Sequence, residues 1–106
     1  MTSEGSPQIR SAVDEGGETR FILTGILDAY LAEDLHRCAR NLLESGGDVA
    51  VDLSEVDSMD VCSVQILLAL RGDLVSLGRR FLVSAASANA VGSLRMGGVA
   101  GIFAVA

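Results

Sequence analysis

The chain has 106 residues, enough for one domain with little left over. Hydrophobic residues make up 49% of it and aromatics only 4%, with no Trp, so the core must be built from Leu, Val, Ile and Ala; aliphatic strands covered by helices do that most simply. A formal charge of −6 repels phosphate backbones and anionic lipid, so neither nucleic acid nor direct membrane binding is expected.

No apolar run approaches the roughly 20 residues that span a bilayer. Residues 1–7 carry neither a basic n-region nor an apolar h-region, and are expected to be a flexible tail ahead of a single domain at 8–106. Two cysteines, Cys38 and Cys62, make no disulfide framework and no zinc spacing, so a reducing cytoplasm is the expected compartment.

Along the chain, residues 8–13 suggest an edge strand and 14–17, ending in Gly16-Gly17, a tight turn. A second strand at 19–24 should pair antiparallel with the first. Gly25 then breaks the pattern, and Asp28 is placed to cap the first helix. On that helix Leu31, Leu35, Cys38 and Leu42 recur as one apolar stripe, ended by Gly46-Gly47. Residues 48–53 form a nearly unbroken apolar strand, expected to be central and covered on both faces or largely so. Asp60 caps a second helix over 61–77; a strand at 80–84, a third helix at 86–96 and a short last element at 102–106 follow. The ββαβαβα order implies an α/β fold with a mainly parallel sheet of four to five strands, an antiparallel N-terminal hairpin, and helices packed on the sheet.

Little in the chain suggests catalysis. The single histidine, His36, lies well off the first helix's apolar stripe and is expected to be exposed. Cys62 falls in the first turn of a helix, where the dipole lowers a thiol pKa, yet Asp60 nearby opposes the thiolate. Gly97-Gly98 follows a helix instead of preceding one, so it is a cap and turn and not a phosphate loop. Arg79-Arg80 suits a solvated turn better than an anion site. No enzyme activity, metal or cofactor is expected.

The second helix is unusual. Ser63, Ile66, Leu67, Leu70, Leu74 and Leu77 gather on one face, expected to be the core side. Val61, Val64, Leu68 and Val75 form a second apolar strip edged by Gln65 and Gly72 and interrupted by Arg71. A broadly buried helix and a docking strip both account for it.

Two segments here resemble the STAS family, named for sulfate transporters and anti-sigma factor antagonists. Val51-Asp52-Leu53-Ser54 followed by Asp60 resembles its strand-end and helix-start signature. Upstream, Gly25-Ile26-Leu27-Asp28 through Leu31-Ala32 to Leu35 resembles its second motif. The resemblance implies a STAS-like domain and a bacterial signalling role by docking to a protein, either an anti-sigma factor kinase or a chemotaxis-type histidine kinase or response regulator. It also allows an accessory subunit of a lipid-transport ATPase complex, which Val61 disfavours. A homodimer is compatible with the sequence as well. The partner-binding residues it points to are Asp28, Ser58, Asp60, Val61, Cys62, Ser63, Val64, Gln65 and Leu68. In the family, the residue after the signature aspartate is a phosphorylated Ser or Thr; here it is Val61, which has no hydroxyl. Ser58 and Ser63 are the nearby hydroxyls, and neither is expected to take phosphate.

Overall fold

The turn at residues 14–17 reverses the chain because Asp14 Oδ1 accepts hydrogen bonds from the N–H groups of Gly16 (2.9 Å) and Glu18 (3.0 Å). The hairpin it makes begins a computed structural model that describes residues 7–96, 98, 101 and 103. In chain order these form β1 (Ile9–Val13), β2 (Thr19–Leu27), a 3₁₀ turn (Ala29–Leu31), α1 (Ala32–Ser45), β3 (Val49–Met59), α2 (Val61–Ser76), β4 (Phe81–Ala86) and α3 (Ala88–Met96). The sheet order is β1-β2-β3-β4, antiparallel at β1–β2 and parallel thereafter. The chain is a single α/β domain with helices packed on a mixed, mainly parallel sheet, and the sequence indicated that architecture.

One face of the sheet carries the core. Phe21, Leu23 and Leu27 of β2 and Val49, Val51 and Leu53 of β3 are fully or almost fully buried. They cluster with Leu35 and Leu42 of α1, Leu67, Leu70 and Leu74 of α2, and Leu94 of α3. The helices therefore cover one face of the central strand among the described residues, and the strand is largely buried over 48–53, as expected. Its opposite face exposes part of Asp52 beside the buried Ala50.

Both central strands run further than the sequence suggested. Gly25 does not end β2: it sits within the ladder at φ +79°, where the pairing with β3 slips register. The Gln8 side chain lies against it, its amide donating to the carbonyls of Thr24 (2.8 Å) and Ile26 (3.0 Å). A Cβ at Gly25 would stand 2.8 Å from that nitrogen. In β3 the two slips turn alternation into a three-residue spacing of buried Leu53, Val56 and Met59, with polar residues between them. That spacing hid the strand's second half.

Helix boundaries and faces also shift. Asp28 caps the 3₁₀ turn instead of α1 itself, and Ala39 is fully packed where Cys38 is only half-buried. In α2, Val64 belongs to the core at 3% exposure, Ile66 is half-buried, and Leu77 lies beyond the helix at 62% exposure. Ala86 ends β4 instead of starting α3, and Ser87 Oγ accepts from Ala90 N–H at 3.0 Å as the helix cap. Of the element expected at 102–106 only Phe103 lies within the described residues. It is buried, its ring 5.5 Å from that of Phe81.

Arg79 is not a solvated turn residue. Its guanidinium donates to the carbonyls of Leu43 and Leu42 (2.8 Å each) and Gly47, satisfying groups that the end of α1 leaves open. Further along the sheet, β4 pairs with β3 only as far as Leu53. Beyond that point α3 closes the open edge. Ser87 N–H donates to Leu53 O (3.0 Å), Ser87 Oγ to Val56 O (2.6 Å), and Met59 N–H to Ser93 Oγ (3.3 Å). The closure holds α3 beside the start of α2.

Candidate partner-docking site

Parallel strands β2 and β3 end together, with Leu27 paired to Met59, and each is followed at once by an aspartate. Asp28 Oδ1 accepts from Tyr30 N–H at 3.1 Å, and Asp60 Oδ1 from Ser63 N–H at 3.1 Å. The two junctions are tied together: Leu27 O accepts from Asp60 N–H (3.0 Å) and from Ser63 Oγ (3.1 Å). Side chains beyond the carboxyl ends of parallel strands stand clear of the sheet, where such folds place their binding groups.

Several apolar side chains are presented here. Val61, in the first turn of α2, is 65% exposed, and Met96, at the end of α3, is 91% exposed. With Met59, Asp60, Val64 and Ser93 they line an open groove of about 270 Å³. Ile26 and Tyr30 are exposed at the neighbouring junction. Gln65 and Cys62 are exposed on α2, Leu68 is half-buried, and Ser58 is exposed opposite Ile26. Ser63 is fully buried with its hydroxyl turned inward, so it does not belong to this surface. Val64 contributes only to the groove's floor.

No motif or periodicity marks Ile26, Tyr30, Met59, Ser93 or Met96 for this surface. Ile26 and Met59 lie in strand extensions concealed by the register slips. Ser93 and Met96 arrive only through the packing of α3 on the edge of β3, which no periodicity reports. Arrangements of this kind present apolar contacts rimmed by carboxylates; Cys38 and Cys62 are not joined in a disulfide.

A family model described as "Mlab, STAS domain" matches residues 11–105. The chain belongs to the STAS domain family. No curated protein matches it. Among solved structures, this STAS domain resembles an anti-sigma factor antagonist from Mycobacterium paratuberculosis (22% identity, 96% of this chain and 89% of that one, TM-score 0.77). It also resembles SpoIIAA, an anti-sigma factor antagonist, in its unphosphorylated form (14% identity, 88% and 83% coverage, TM-score 0.76). The Bacillus cell fate determinant SpoIIAA in its phosphorylated form gives 14% identity, 90% and 86% coverage, and TM-score 0.72. At these identities the likeness establishes a shared fold. No helix among the described residues of this STAS domain is long and apolar enough to cross a membrane.

Proposed function

We infer that this STAS domain is a signalling docking module of the anti-sigma factor antagonist type, engaging a protein partner through the strand-end surface around Asp60. The observation that carries the reading is Val61. It occupies the first helical position after the capping aspartate, exposes an aliphatic side chain to solvent, and lines a groove with Met96. An exposed apolar group on a rigid, capped helix start is suited to burial against a partner.

Val61 also bears on regulation. A phosphate adds about −1.5 to −2 charge and would oppose burial of an apolar contact, but Val61 has no oxygen to receive one. Docking in this reading is therefore constitutive at that position. The test is affinity capture from the source cell with the wild-type chain and with Val61→Asp, followed by mass spectrometry. A kinase, anti-sigma factor or response regulator retained by wild type and lost at least tenfold by Val61→Asp supports the reading. Equal retention by the variant removes Val61 from the interface. An ATPase subunit as the captured partner moves the protein to the lipid-transport role.

A further inference from the structure

The sheet has two faces, and the helices occupy one. On the other, strand register aligns two rows of side chains. Arg10, Ile22 and Asp52 are neighbours in one row, and Arg20, Ala50 and Leu82 in the next. Neither Ile22, Ala50 nor Leu82 belongs to the core cluster shared by the sheet and helices. Ile22 and Leu82 are half-buried on this side. Parallel strands are ordinarily covered on both faces, so this apolar strip has no cover among the described residues.

The charges on this face are sorted. Arg10 and Arg20 stand on β1 and β2; Asp52 and Glu55 stand on β3, with Glu55 paired to Thr24. Asp52 is anchored, accepting hydrogen bonds from Ser54 N–H (2.9 Å) and Ser54 Oγ (2.6 Å), and these hold its carboxyl below the usual carboxylate range. A face with a basic half and an acidic half is complementary to itself. A two-fold axis along the strands between β2 and β3 lays the β1–β2 half over the β3–β4 half of the partner, with Ile22 near the axis and Leu82 toward the rim. Nucleic acid would be repelled by the acidic half. The rest of the acidic chain would repel a second copy, so this face is where one is accepted.

We propose that the uncovered face of the sheet, with Arg10 and Arg20 opposite Asp52 and Glu55, is the interface of a weak symmetric homodimer. Four strands about 4.8 Å apart and some six residues long give a footprint of roughly 19 by 20 Å, about 400 Å² per copy and below the standard size of specific interfaces, which is why the dimer is a weak one. The dimer is independent of the docking surface at the strand ends, so either can fail alone.

Sedimentation velocity on the full chain tests the proposal, from about 1 to 200 µM, a range that suits a small interface. At about 0.05 M salt the wild type is expected to shift from monomer toward dimer with concentration, and about 0.5 M salt should weaken the dimer. Arg10→Glu/Arg20→Glu and Asp52→Lys/Glu55→Lys should each be monomeric alone, and their mixture should regain a dimer. Circular dichroism checks that each variant is folded. If the Asp52 variant unfolds, Arg10→Glu/Arg20→Glu decides, because both residues are exposed and lie outside the core. A wild type monomeric throughout, a dimer surviving Arg10→Glu/Arg20→Glu, or a mixture of folded variants that stays monomeric would each overturn the proposal.

Discussion

The two ends of the sheet solve the same problem in different ways. At both, helices terminate and leave backbone groups without helical partners. At the amino end of the parallel strands the solution is long-range. Arg79 closes the carbonyls of Leu42 and Leu43, Asp48 accepts from Arg80 N–H at 2.9 Å, and Thr19 N–H reaches Asp48 O at 2.9 Å. Gly47 lies so close to the hairpin turn that a Cβ there would come within 2.7 Å of Gly17 O. At the carboxyl end the first turns of the 3₁₀ turn and of α2 are capped locally, since Asp28 and Asp60 accept from residues two and three positions on. Local closure leaves the nearby side chains free, and those side chains are apolar and exposed. The amino end thus uses its side chains to close backbone groups, whereas the carboxyl end leaves apolar ones exposed.

That contrast is weakest where a buried side chain ties the carboxyl end together over a long range, and the largest effect is expected there. Ser63 lies at the carboxyl end yet is fully buried, with its hydroxyl on Leu27 O. Ser63→Asp would bury an unpaired carboxylate and should cost about 3–5 kcal/mol in chemical denaturation. A loss below about 1 kcal/mol would mean that the residue reaches solvent, and would reopen it as a phosphate acceptor.

Next comes the amino end itself. Arg79→Ala should cost about 2–3 kcal/mol, because it frees carbonyls held by charge-assisted hydrogen bonds. Arg79→Lys should recover less than half, since one ammonium cannot reproduce a planar fork. Full recovery by Lys would show that charge at the helix end, and not the fork, matters there.

Smaller effects should follow at the caps. Asp60→Ala should cost about 1 kcal/mol by thermal or urea unfolding, with α2 losing its start. Asp28→Ala should cost about 0.5 kcal/mol, since it caps only a short 3₁₀ turn. Equal costs would mean that the two junctions contribute alike to the fold despite the different lengths of helix they begin.

The strand-helix order, the hairpin turn and both capping aspartates were legible because each rests on local chemistry. Asp14, Asp28 and Asp60 bond to backbone within four residues, and the apolar spacing of α1 needs only its own helix. The family motifs lie in the same local stretches. The assignment of α2 was only half right, because a helix apolar on several sides does not announce which side meets the sheet. Packing chose Val64 for the core and left Leu77 outside.

By itself, then, the sequence determined an α/β domain of the STAS type, the start of α2 at Asp60, and an aliphatic residue, Val61, directly after it. Tertiary structure decided which hydroxyl is buried, how far β2 and β3 extend, and what surrounds Val61. The reason is range. Capping and periodicity act over a few residues, whereas Met59, Ser93 and Met96 join the groove through contacts more than thirty residues apart in sequence. Arg79 and the α1 carbonyls meet over a similar separation, and nothing near either in the chain foretells it.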